Sequence, residues 1–261
     1  MIEGNETSYV DELTSALKND LLILRDRSGK PTTRAIQEAA AYVEENIERD
    51  KKYNLVGIAI RGSYVSGYAD RTDPELHSDM DFAVMVDEPV SQDIELAYSL
   101  VDTQKRRSEP RGPGWRKYDA WIYNINVDQL ERDIYKWLAG DTLLDDPFFG
   151  TAISTLSTLC DPVVGNRGLR QVIPYRKSVA AVLRQLPKNQ LEQIVGAIAE
   201  VHAQRDDEKI PKMRERIDDP KKNAEWQNLL EGNNLHNARY TKWRDRVISI
   251  FSLKDALATT S

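Results

Sequence analysis

Two short apolar runs, LVGIAI at residues 55–60 and FAVMV at residues 82–86, are separated by a polar stretch and define the centre of the chain. Five or six consecutive apolar residues suit a strand covered on both faces, with helices supplying the cover. A third segment, residues 118–127, is rich in the aromatic and β-branched types that fit a pleated surface. A further apolar run at residues 153–159 reads as a fourth strand ending at Asp161 and Pro162.

Helical periodicity surrounds these runs. Val10, Leu13, Leu17 and Leu21 recur at helical spacing, as do Ile36, Ala40, Val43 and Ile47, with Gly29 and Pro31 breaking the chain between them. Residues 91–107 carry an apolar stripe through Ile94, Ala97, Leu100 and Val101, and residues 130–138 read as another helix. From about residue 174 the stripes are helical to the end. Val179, Val182, Leu183 and Leu186 form one, and Leu191, Ile194, Ile198 and Val201 another; Trp226, Leu229 and Leu230, then residues 247–257, complete the series. The expectation is an α/β (α+β) chain. A mixed sheet flanked by helices occupies residues 1–172, and a helical C-terminal domain occupies residues 173–261.

Composition removes several classes of function. The 261 residues are 40% apolar and carry a net charge of −6, which argues against a protein built to coat nucleic acid. Cys160 is the single cysteine, so neither an internal disulfide nor a thiolate cluster is available. His77, His202 and His236 lie far apart, without metal-ligand spacing. The opening MIEGNETSYV lacks the basic start and apolar core of a signal peptide, and no apolar run approaches the roughly 20 residues of a membrane span. A cytoplasmic protein with no membrane partner is expected.

Two pieces of sequence carry chemistry: RGSYVSG at residues 61–67, directly after the first run, and SDMD at residues 78–81, opening the second. Alternate residues of a strand share a face, so Asp79 and Asp81 are expected to point the same way. Side-by-side carboxylates resist joint ionisation unless a cation relieves the repulsion, and Mg²⁺ prefers oxygen donors. Gly62 permits a tight bend and close backbone approach, Ser63 adds a hydroxyl, and exposed N–H groups there suit a phosphate.

Strand, Gly-Ser, a further Gly, then Ser-Asp-x-Asp leading into a second strand resembles the polymerase-beta nucleotidyltransferase superfamily, in particular its small standalone members such as the aminoglycoside nucleotidyltransferases. The resemblance covers about residues 53–128. It implies a mixed sheet flanked by helices. It also implies transfer of a nucleoside monophosphate from an NTP, ATP being the first choice, to a hydroxyl of a small acceptor, with release of pyrophosphate. It implies a third carboxylate on a strand beside the Asp-x-Asp strand, which Asp119 supplies. In that role Asp119 joins Asp79 and Asp81 in a two-metal Mg²⁺ site and takes the proton of the attacking hydroxyl, while Gly62 and Ser63 hold the nucleotide phosphates. The stretch LCDP at residues 159–162, followed by Gly165 and Gly168, resembles the strand and Asp-Pro segment that follows the core in many small members. The insert at residues 68–77 is longer than in most of them. The same fold also acts on protein or RNA acceptors in some toxin–antitoxin systems, and a non-catalytic nucleotide-binding protein is the remaining alternative.

Other features carry less. Lys105, Arg106, Arg107, Arg111, Arg116 and Lys117 surround a Gly/Pro-rich loop leading to Asp119, and form either a basic lip for a triphosphate or a solvated surface. Tyr240, Trp243, Arg244 and Arg246 suit an acceptor pocket or, more commonly for such aromatics, packing. Residues 204–219 read as an ion-paired helix, and Cys160 reads as a small buried hydrophobe.

Overall fold

A computed structural model of the chain describes residues 33–50, 53–62, 65, 80–88, 118–140, 152–214 and 235–258. In chain order these form α1 (Thr33–Asp50), β1 (Leu55–Arg61), β2 (Met80–Val86), β3 (Tyr118–Asn124), α2 (Val127–Leu138), α3 (Ala152–Cys160), β4 (Val163–Val164), α4 (Gly168–Arg184), α5 (Lys188–Arg214), α6 (Leu235–Ile250) and α7 (Lys254–Ala258). The expected stripe at residues 10–21, the helix at 91–107, Trp226 to Leu230, the insert at 68–77 and the basic loop at 105–117 lie outside the described residues. Chain contacts gather into two compact units, Met1–Gln129 with Asp161–Tyr175, and Leu130–Cys160 with Arg176–Ser261.

The first unit is built on a four-stranded sheet in the order β3-β2-β1-β4. β1 runs antiparallel to both β2 and β4, while β2 and β3 run parallel, so the sheet is mixed as expected. Every residue of β1 is buried, and in β2 only Asp81 is partly exposed. The two unbroken apolar runs are therefore strands covered on both sides. One cover is α1, which packs on β1 and β4 and buries Ile36, Ala40, Val43 and Ile47. Removing each such side chain from water contributes about 1.5–3 kcal/mol for the larger ones.

Glu44 lies on the same helix and is also buried. Its carboxylate accepts the backbone N–H groups of Asn166, at 2.7 Å, and Arg167, at 3.1 Å, in the turn from β4 to α4. Gln37 accepts the N–H of Gly165 in that turn at 2.7 Å. Burial pushes the Glu44 carboxyl above its usual range, and the two N–H bonds oppose that shift. The turn needs φ +88° at Gly165, a backbone state that favours glycine.

The strand expected at residues 118–127 ends at Asn124 instead. Asn126 accepts the backbone N–H of Gln129 at 3.2 Å through its side-chain oxygen, which caps a helix starting at Val127. A cap three residues beyond an aromatic run shortened the strand.

The described residues of the second unit are helical apart from short turns. Residues 153–159, expected as a strand, belong to helix α3. Eight of its nine residues are buried, so no polar face marks a helical period, and a short apolar run then has the appearance of a strand. Its hydroxyls turn back on the helix itself: Ser157 Oγ and Thr158 Oγ1 both donate to the Ser154 carbonyl, at 2.8 and 3.0 Å. At its C-terminus two arginines complete the final carbonyls. Arg176 Nε donates to Leu159 O at 2.8 Å and Arg246 Nε to Cys160 O at 2.7 Å, where cations also complement the helix dipole.

α3 packs on α5 and α6, and α5 packs on α6. The expected stripes at residues 179–186 and 191–201 are buried. Trp243 of α6 is buried and stacks on His202 of α5, ring centroids 3.7 Å apart, which makes it a packing residue. The His202 Nε2 donates to the Ser157 carbonyl at 3.2 Å. Cys160 is fully buried, as its apolar neighbours imply. Among the described residues no helix is long and apolar enough to cross a membrane.

Candidate active site

The pairing register assembles the site. β1 and β2 place Arg61 opposite Asp81, and β2 and β3 place Asp81 opposite Asp119. Directly paired positions in a ladder share a face of the sheet. Three adjacent strands thus present Arg61, Asp81 and the position of Asp119 as one row across the sheet. The row lies where β1 ends and where β2 and β3 begin. Asp81 is the one half-buried residue of β2, so the row reaches solvent at that point.

Gly62 follows the row directly. It adopts φ +70°, and its carbonyl accepts the N–H of Val65 at 3.0 Å, which closes a tight turn at the end of β1. Of the residues expected in the site, Asp81, the backbone of Asp119 and Gly62 therefore meet at one corner of the sheet. Asp79, Ser63 and His77 lie outside the described residues.

The Arg61 guanidinium is gripped by two buried partners. Its Nε donates to Asp161 Oδ2 at 2.6 Å, and its Nη1 donates to the Tyr123 hydroxyl at 2.5 Å. Its guanidinium carbon stands 4.4 Å from the centre of the Tyr123 ring. Tyr123 pairs with Met85 on the far half of β2, so the arginine extends along the sheet from β1 toward β3. The ion pair is almost wholly buried, at 8% and 2% side-chain exposure. Burial disfavours the charged guanidinium, but the Asp161 carboxylate and the Tyr123 oxygen outweigh it and hold the Arg61 pKa above its ordinary value.

The Asp161–Pro162 segment also grips the strand through its backbone, since the Pro162 carbonyl accepts the N–H of Ile60 at 2.9 Å. The strand expected before Asp161 is in fact the end of α3, and the short strand β4 follows it. Asp161 and Tyr123 were not candidates in the sequence. Arg61 and Asp161 stand 100 residues apart, and no periodic pattern links residues so distant.

The other end of the sheet is closed by a separate polar group. Asp87, just beyond β2, accepts Tyr175 OH at 2.8 Å and Asn126 Nδ2 at 2.8 Å. Burial, then the hydrogen bond and charge of Asp87, push the Tyr175 phenol up to about 12. Neither a protein-family model nor a curated protein sequence matches the chain.

Proposed function

We propose that the chain is a metal-dependent nucleotidyltransferase that moves a nucleoside monophosphate from an NTP, with ATP the first choice, to a hydroxyl of a small acceptor. The observation that carries this reading is the opposition of Asp81 and Asp119 on parallel neighbouring strands, beside the positive-φ turn at Gly62. With Asp79 two residues before Asp81 in the sequence, the proposed donor set is all carboxylate. Hard oxygen donors suit Mg²⁺. Asp79, Asp81 and Asp119 would hold it, and it would supply positive charge opposite the phosphate oxygens when bound.

The rest of the work falls to the chain. The backbone at Gly62, with Ser63, binds and orients the phosphates, since a glycine there lets the main chain approach closely. Asp119 accepts the proton of the attacking hydroxyl at its carboxylate. As the α-phosphate passes to that hydroxyl oxygen, the bond to the bridging oxygen breaks and pyrophosphate departs with its electron pair.

The test uses the full chain with Mg²⁺ and each of the four NTPs labelled at the α-phosphate. It is run with a panel of polyhydroxylated small molecules and, in parallel, with cell lysate. Label on a small molecule together with released pyrophosphate is the expected result. Label on protein or RNA would transfer the reading to a macromolecular acceptor. Asp81→Asn and Asp119→Asn are each expected to lower the rate by about 10³-fold, the scale of losing a group that stabilises transferring charge. Full activity in either variant would refute the assignment.

A further inference from the structure

We infer that Asp161 and Tyr123 are positioning residues for the turn at Gly62. Acting through the Arg61 guanidinium, they fix the end of β1 and with it the main chain that enters the turn. The inference rests on the nucleotidyltransferase reading and adds two residues to it.

β4 pairs with β1 through Ile58 with Val164 and Ala59 with Val163. The same antiparallel contact runs on to the last residue of β1. The Ile60 N–H donates to the Pro162 carbonyl at 2.9 Å, and Arg61 Nε donates to Asp161 Oδ2 at 2.6 Å. Proline has no N–H to donate, so the backbone ladder thins at Pro162, and a side-chain ion pair continues it to the end of the strand. From a second direction β3 holds the same guanidinium. Arg61 Nη1 donates to the Tyr123 hydroxyl at 2.5 Å, and the guanidinium carbon stands 4.4 Å from the ring centre. Arg61, Tyr123 and Asp161 are all buried, where a lost hydrogen bond to a charged group is not replaced by water. The strand is thus held at the residue where strands ordinarily fray.

The turn needs that support. Gly62, at φ +70°, opens a turn closed by the Val65 N–H on its own carbonyl. Glycine has the widest conformational freedom of any residue, so it does not fix its own geometry. Main-chain donors bind a phosphate best when they are ordered beforehand, since the ordering then accompanies folding and not binding. The clamp on Arg61 supplies order at the residue directly before the glycine. A guanidinium suits the task because its rigid fork reaches two partners at once, which the single ammonium of lysine does not match.

The experiment uses the full chain and two readouts, with thermal melts to establish folding. Equilibrium dialysis of labelled ATP with Mg²⁺ gives nucleotide affinity. Hydrogen exchange followed by NMR compares the Val65 amide with that of Ile125, which donates to Val86 at the other end of the sheet. Tyr123→Phe, which deletes a single hydroxyl, is expected to weaken ATP about threefold, and Asp161→Asn about tenfold. Both should speed Val65 exchange about tenfold and leave Ile125 within about twofold. In an Arg61→Met background neither should weaken ATP further, because both act through the guanidinium. If Asp161→Asn does not fold, Tyr123→Phe carries the test. Unchanged ATP affinity in Tyr123→Phe, where the unaltered chain binds ATP, would overturn the inference. Equal acceleration at Val65 and Ile125, the sign of a general brace, would overturn it too, as would an ATP loss in Tyr123→Phe that persists in full beside Arg61→Met. If the unaltered chain takes up no ATP while Val65 exchange responds as expected, the nucleotidyltransferase reading fails and the clamp on the turn stands.

Discussion

Gly165→Ala is expected to be among the most damaging single-methyl changes in the first unit. Two costs combine there. Residue 165 has φ +88°, and an L side chain held in that region costs about 1–2 kcal/mol. A Cβ built on Gly165 also falls 2.5 Å from one Glu44 carboxylate oxygen and 2.8 Å from its carboxyl carbon. The carboxylate must withdraw, yet it is the acceptor for the N–H groups of Asn166 and Arg167. Hydrogen bonds to a charged group contribute about 1.5–3 kcal/mol each, and part of that is recovered when the displaced carboxylate regains water. The sum is roughly 3–5 kcal/mol, a large share of a typical stability.

Gly168→Ala provides the comparison within the same unit. Gly168 also has a positive φ, +59°, but a Cβ there meets nothing within 4 Å. Its cost should be backbone strain alone, about 1 kcal/mol. Urea denaturation followed by tryptophan fluorescence gives both values by linear extrapolation. In a Glu44→Ala background the carboxylate is gone, and Gly165→Ala should fall to its backbone strain alone, about 1–2 kcal/mol. If Gly165→Ala and Gly168→Ala agree within about 0.5 kcal/mol in the unaltered chain, the Glu44 contact has no energetic weight and the reasoning is refuted.

Two further outcomes follow from the packing around Tyr175 and Trp243. Tyr175 should titrate late in an alkaline ultraviolet titration, at about 12, and Tyr175→Phe should remove that step. The folded pKa lies above the ordinary 10.0, so the stability from this group is intact below pH 10 and is lost as pH rises through about 12. Equal alkaline stability of Tyr175→Phe and the unaltered chain would contradict this. Trp243→Ala removes a buried ring stacked on His202, and should cost about 3–5 kcal/mol by thermal or urea unfolding. A loss below about 1 kcal/mol would show that the stack carries little of the second unit's stability.

Burial on both faces made β1 and β2 legible, because it leaves an unbroken apolar run of strand length. The α1 stripe was legible for the opposite reason. One face of that helix is buried through Ile36, Ala40, Val43 and Ile47, while Glu38, Glu45, Glu48 and Arg49 are exposed. α3 defeated the same logic, since a helix buried nearly all round has no period to read. The end of β3 was misplaced by a local event, the Asn126 cap, which acts over three residues and competes with the strand preference of its neighbours. At the candidate site the residue types were legible and the pairings were not. Gly62 and Asp81 could be named from spacing, but the partner of Arg61 lies across the chain at Asp161.

Register is the quantity a single sequence conceals most completely, and here it decides which residues stand opposite one another at the candidate site. A slip of one residue between β2 and β3 would set Ala120 opposite Asp81 and send the position of Asp119 to the other face of the sheet. Two features oppose that slip. Ala120 and Ile122 are buried on one face of β3, so a slip would carry them off the apolar layer they occupy. Tyr123 lies an even number of residues from Asp119, on the same side of the strand, and its hydroxyl takes the Arg61 hydrogen bond. A slipped strand would turn Tyr123 away and deprive the buried guanidinium of that hydrogen bond. The Arg61–Tyr123 hydrogen bond therefore favours the register that sets Asp81 opposite the position of Asp119.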